Sequence, residues 1–172
     1  MPDDSTPFVH RISLVIPVYQ GERTLGSVID EIRPLTEQFV TGEGHIAVVE
    51  EVVLSYDRGP DGSADTIRAL AAGSTWIKAI WLSRNFGQHA ATLAGIASSG
   101  GDWVVTLDED GQHDPAYIAT MLDQALREKA DVVYAKPTNA PPHGVVRNTA
   151  SRLSKRLLEA VADQPDAPAG GL

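Results

Sequence analysis

The run Ile12-Ser13-Leu14-Val15-Ile16-Pro17-Val18 decides the fold of this 172-residue chain. It is short, almost continuously apolar and rich in β-branched residues, which suits a strand covered on both faces, and such strands belong to parallel sheets. Working outward, Leu25, Val28, Ile29, Ile32 and Phe39 recur at three- and four-residue intervals, predicting a helix from Glu22 that Pro34 kinks or ends early. Strands are expected at Val48 to Leu54, Ile77 to Leu82, Trp103 to Leu107 and Asp131 to Ala135. Between them helices are expected from Asp61 or Ser63 to about Ala72, from His89 to Ser98, and from the Asp114-Pro115 cap to Glu128. Strand and helix thus alternate, which implies right-handed crossovers and an α/β fold with a mainly parallel sheet flanked by helices. After Lys136 come a loop, an amphipathic helix over Val145 to Ala162 and a disordered tail at 163–172, so the expected domain runs over 11–162 behind a ten-residue N-terminal tail.

Composition narrows the function. With 42% apolar and 22% charged residues the chain is of ordinary globular type, and its formal net charge of −9 argues against a nucleic acid as partner. The absence of cysteine removes disulfides, a thiol nucleophile and a thiolate zinc site. No apolar run approaches the roughly 20 residues of a membrane span, and the acidic start MPDDSTPFVHR lacks a signal-peptide core. The simplest address is therefore the cytoplasm, any membrane contact being peripheral.

Ligands of open parallel sheets bind beyond the carboxyl ends of the strands. There the chain places Tyr19 to Glu22, Tyr56 to Ser63, Ser83 to His89 and Asp108 to His113. In extended geometry Asp108, Asp110 and Gln112 point the same way. Two carboxylates and an amide suit a hard cation such as Mg²⁺ or Mn²⁺. An EF-hand is set aside, because loop position six would be His113 and position twelve Ala119. Gly42-Glu43-Gly44-His45-Ile46-Ala47 has dinucleotide-fingerprint spacing but precedes a strand, so it reads as a loop. No Walker A sequence is present, and His89, His113 and His143 show no zinc spacing.

Leu14 to Tyr19, Tyr56 to Ser63, Leu82-Ser83-Arg84-Asn85-Phe86-Gly87-Gln88-His89 and Leu107 to Pro115, in this order, resemble family 2 glycosyltransferases. The subgroup they resemble is that of the dolichol-phosphate mannose synthase-like polyprenyl-phosphate sugar transferases. The likeness runs from about Ile12 to Leu158 and implies a GT-A fold that binds a nucleoside-diphosphate sugar with a divalent metal on its diphosphate. By the same resemblance Pro17, Tyr19, Glu22 and Asp57 contact the nucleotide, Asp108 and Asp110 form the Asp-x-Asp motif, and Gln112 joins the metal shell. Arg84, with Asn85 beside it, and Lys136 would add positive charge near the phosphates or be exposed surface charges. The chain departs from the family at Tyr56-Asp57-Arg58-Gly59, where Asp-Asp-Gly-Ser is usual, and at Gly111, where leucine is common.

The family continues into an acceptor-binding half with a general base, and nothing after Ala162 matches it. Asp163 and Asp166 lie in a Pro/Ala/Gly tail, so no catalytic base is assigned and the acceptor half is expected to be missing. The leading expectation is a metal-dependent glycosyltransferase passing a sugar to a polyprenyl phosphate at the inner membrane face. Arg147, Arg152, Lys155 and Arg156 would meet the lipid there or simply be solvated. The competing expectation is a non-catalytic nucleotide-sugar-binding module or partner subunit. A nucleotidyltransferase is a distant third, since no Gly-rich basic loop follows the first strand.

Overall fold

The computed structural model describes residues 7–112 and 114–135. They form β1 (Val9–Val18), α1 (Leu25–Ile32), a 3-10 turn (Arg33–Thr36), β2 (Phe39–Val40), β3 (Ile46–Tyr56), α2 (Ser63–Gly73), β4 (Ile77–Trp81), α3 (Gln88–Ala97), β5 (Trp103–Thr106) and α4 (Tyr117–Glu128). These belong to a compact unit, Met1–Tyr134; a second, Ala135–Leu172, falls outside the described residues except for Ala135. His113, Lys136, His143 and the expected helix over Val145 to Ala162 also lie outside them.

β1 is the central strand, parallel to β3 on one side and to β5 on the other. The far edge of β3 is shared: β2 runs antiparallel against Ile46 and Ala47, and β4 runs parallel against Val52 to Tyr56. The β1–β3 register slips once. Ile12 faces Val49 but Ser13 faces Glu51, so Glu50 is an extra residue, a bulge in a parallel ladder. Pairing of β1 with β5 stops at Val15 and Thr106, with Leu107 N–H donating to Val15 O at 3.0 Å. Two residues on, Pro17 has no N–H to continue the ladder, and the sheet opens between these two strands.

Alternation along β1 sends its side chains to two layers. Leu14, Ile16 and Val18 join Leu25, Ile29 and Ile32 of α1, Ile67 of α2, and Ile118 and Leu122 of α4 in one cluster. Each fully buried aliphatic side chain there contributes about 1.5–3 kcal/mol. Val15 points the other way, against α3, where Gly95 is obligatory: a Cβ on it would stand 2.4 Å from Val15 Cγ1.

Two expectations are corrected. Phe39 was expected on the first helix, but Pro34 cannot donate to the helical ladder, so α1 stops at Ile32 and tightens into the 3-10 turn. That leaves Phe39 free to pair with Ala47 in β2. The strand expected at Asp131 to Ala135 is absent; the segment is irregular, with Val132 64% and Tyr134 89% exposed. Two valines supply β-propensity, but a strand is held by its ladder and its packing, and this segment has neither. Gly42–Ala47 is a turn leading into β3, as its position implied.

Candidate functional site

The loops after β1, β3, β4 and β5 meet at the carboxyl edge of the sheet, and backbone amides fasten them together. Glu109, after β5, accepts Tyr19 N–H on Oε2 and Gln20 N–H on Oε1, both at 2.9 Å. Burial raises the Glu109 carboxyl above the usual carboxylate range, with Asp61 and Asp110 pushing the same way against those two hydrogen bonds. The β1 and β3 loops grip each other reciprocally: Glu22 N–H donates to Asp61 Oδ2 at 3.1 Å, and Gly62 N–H donates to Glu22 Oε2 at 3.0 Å. Gly21 N–H donates to Ser63 Oγ at 2.8 Å, and Ser63 Oγ donates to Asp61 Oδ1 at 2.5 Å. At Gly59 the two backbones touch so closely that a Cβ would fall 1.4 Å from Tyr19 O. Only glycine permits that approach.

The residues expected in the site divide into two groups. Asp57 and Glu22 are spent on the loops. Asp57, 3% exposed, accepts Phe86 N–H at 2.7 Å and Gly87 N–H at 2.8 Å on separate oxygens, fixing the entry to α3. Pro17 is buried within β1, so it shapes the crevice rather than lining it with an exposed ring. Asn85 Oδ1 accepts Gly87 N–H at 3.1 Å, and Gly87 adopts φ +90°, a turn that favours glycine.

The second group faces outward. Tyr19 is 41% exposed, and the exposed Arg84 guanidinium stacks on the Phe86 ring at 4.7 Å. Asp108 leaves β5 toward α3, where Gln88 Nε2 donates to its Oδ1 at 2.8 Å. Asp110 is exposed and accepts Gln112 N–H on Oδ1 at 3.0 Å. The strand ends at Thr106 and the chain turns at Glu109 and Asp110, with Gly111 at φ +70°, so the expected extended alternation through Gln112 does not hold. A tight turn holds Asp110 and Gln112 together instead. In chemical type the three side chains, two carboxylates and an amide, offer hard oxygens of the kind that suit Mg²⁺ or Mn²⁺.

Sequence reasoning missed Glu109, Asp61 and Ser63 as organisers of this edge. Apart from the local contacts of Ser63 with Asp61, their partners are backbone N–H groups up to 90 residues away, which no local spacing reveals.

The glycosyl transferase family 2 profile matches residues 13–167. Among curated relatives, an undecaprenyl-phosphate 4-deoxy-4-formamido-L-arabinose transferase of Aeromonas hydrophila is 34% identical over 149 residues, covering 86% of this chain and 43% of the relative. The protein of the same name from Sodalis glossinidius is 33% identical over 157 residues, covering 90% and 45%. The chain thus spans less than half the length of these relatives. In structure it resembles S. aureus TarS 1–349, solved in complex with UDP-GlcNAc, with TM-score 0.58, 18% identity, and coverage of 78% of this chain and 36% of TarS. It also resembles a mycobacterial protein, with TM-score 0.51, 29% identity, and coverage of 68% and 37%. The doubly covered, mainly parallel sheet is the GT-A arrangement of these neighbours, and with the family profile matching from within β1 almost to the end, the chain belongs to glycosyl transferase family 2.

Proposed function

We propose that the described unit is the donor-binding part of a glycosyltransferase that uses a nucleoside-diphosphate sugar and a polyprenyl phosphate acceptor. The observation that carries this reading is the fastening of four strand-end loops around one crevice, with Asp108 and Asp110 at the mouth opened by Pro17. The names of the relatives, transferases onto undecaprenyl phosphate, support a lipid phosphate as acceptor.

In this reading Asp57, Glu22 and Glu109 hold the loops, and Tyr19 and the Arg84–Phe86 pair offer a ring and a positive charge to the nucleotide. Asp108, Asp110 and Gln112 would hold Mg²⁺ or Mn²⁺. When bound, the cation supplies Lewis-acid stabilisation of the charge that develops on the diphosphate as the sugar bond breaks. An acidic protein can thereby accept an anionic donor. Among the described residues no helix is long and apolar enough to cross a membrane.

The test is calorimetric titration of the purified chain with UDP and with GDP, each with Mn²⁺ or with chelator. Metal-dependent binding of one nucleotide, lost in Asp110→Ala, is the expected result; equal heats with and without Mn²⁺ overturn it. A second reading, a binding module without transfer, is favoured by Asp57, whose two oxygens are already taken by Phe86 and Gly87. Sugar transfer to a lipid-phosphate extract by the purified chain would refute that second reading.

A further inference from the structure

At the opposite end of the sheet, the turn before β3 and the middle of α4 bring Glu43, His45 and Asp123 together. One potential ligand atom from each lies within 4.8 Å of the others. We propose that these three residues form a second cation site, for a single borderline divalent ion of the Zn²⁺ type, separate from the Asp108–Asp110 mouth.

The turn is built to hold its side chains still. Thr41 N–H donates to His45 O at 2.8 Å, His45 N–H donates to Thr41 Oγ1 at 3.0 Å, and Gly44 N–H donates to Thr41 O at 3.1 Å. Gly44 takes φ +90°, which lets the turn close in so few residues. Asp123 comes from α4 and is 93% buried, since its exposure is 7%. Its Oδ2 accepts Glu43 N–H at 3.1 Å, while its Oδ1 is buried with no hydrogen-bond partner.

A buried carboxylate oxygen without a partner is costly. A cation placed between Asp123, Glu43 and His45 satisfies it. The Arg127 guanidinium, one turn after Asp123, already pairs with Glu43 Oε1, leaving Glu43 a second oxygen. It balances one of the two acids, so an imidazole and two carboxylates meet the ion with moderate net charge. Imidazole with carboxylates suits Zn²⁺ better than Mg²⁺ or Ca²⁺, which take oxygen alone. Ligands of a tetrahedral Zn²⁺ stand about 3.3–3.5 Å apart. Closing from 4.8 Å requires side-chain movements of roughly 1 Å, within reach of the partly exposed His45 and the exposed Glu43. Three protein ligands leave the remaining coordination to water. Such an ion would pin the β2–β3 turn to α4.

The experiment uses the full chain carrying Asp108→Ala and Asp110→Ala, which removes the other candidate cation site, stripped with chelator and titrated with Zn²⁺ against a chromophoric competitor. One equivalent should bind and raise the thermal midpoint. Adding His45→Gln or Asp123→Asn should weaken binding by roughly 10–100-fold or more, whereas Arg127→Gln, which frees Glu43, should leave it equal or tighter. His45 lies at the edge of the cluster, so its variant folds even where the buried Asp123 change does not. Absence of Zn²⁺ binding in the folded Asp108/Asp110 variant, or binding that His45→Gln leaves unchanged, overturns the site and leaves a helix-to-turn latch. Neither outcome bears on the nucleotide reading.

Discussion

The middle and the carboxyl end of the central strands treat their acids differently. Midway along β3, Glu51 is buried and closes a network of its own: Ser13 Oγ donates to it at 2.7 Å, Gly100 N–H donates to it at 2.6 Å, and Lys78 pairs with it. At the carboxyl end, Asp57, Asp61, Glu22 and Glu109 are spent on the backbone of neighbouring loops, and Asp110 stands exposed in front of them. At mid-strand a carboxylate serves the fold alone. At the carboxyl end, a layer of carboxylates serves the fold so that, in the proposed function, a further one can serve a ligand.

That contrast can be broken by measurement. Gly59→Ala should have the largest effect, because the new Cβ would meet Tyr19 O at 1.4 Å and both loops must part. A loss of about 3 kcal/mol or more in urea unfolding is expected, with loss of nucleotide binding. A loss under 1 kcal/mol would mean the loops do not lean on each other there.

Glu51→Ala comes next, at about 2–3 kcal/mol, since it strands Ser13, Gly100 and the Lys78 charge, but nucleotide affinity in the folded protein should not move. The same acid gives a pH signature. Burial by itself would raise the Glu51 carboxyl, yet the hydrogen bonds from Lys78, Ser13 and Gly100 outweigh it and hold the group below its ordinary value of 4.5. A lowered folded value stabilises the protein above the ordinary value and is lost as pH falls through the folded one. Unfolding free energy followed from pH 6 to about pH 3 should therefore decline less steeply in Glu51→Gln than in the native chain.

Glu109→Ala removes the acceptor of Tyr19 and Gln20 at a more open place, for about 1–2 kcal/mol, and should also weaken nucleotide binding by displacing Tyr19. Asp110→Ala should change stability least, by about 0.5 kcal/mol or less, while abolishing the Mn²⁺ dependence of nucleotide binding. If Asp110→Ala destabilises as much as Glu51→Ala, the two places are not different in kind.

How much of this is legible in the sequence follows from the range of the forces involved. β1, α2, α3 and α4 declare themselves, because apolar periodicity and the Asp114-Pro115 turn signal are local. Asp114 closes a turn ahead of α4 and does not cap it: its Oδ1 accepts Ala116 N–H at 2.9 Å, and the helix begins at Tyr117 with no side-chain cap hydrogen bond. β2 does not declare itself, since two residues carry no period and Phe39 matches the helical spacing that Pro34 interrupts. Val132 and Val133 fail in the opposite way, having the propensity of a strand but no ladder. In the site, Asp108 and Asp110 are readable as a motif. The duties of Asp57 and Glu109 depend on amides brought close only by folding, and the Glu43, His45 and Asp123 cluster joins residues 80 positions apart.

The extra residue in β3 gives these two places a common dependence. Because side chains alternate with period two, the slip at Glu50 works as a phase shifter between the halves of the strand. It lets Glu50 reach out toward Arg11 while Glu51 turns in toward Ser13. Removing that one residue would oblige one half of β3 to reverse its pleat. Either Glu51 would lose its network or Asp57 would arrive at the loops on the wrong face. The strand thus behaves as a mechanical linkage whose length in residues, as much as its composition, times the delivery of the site.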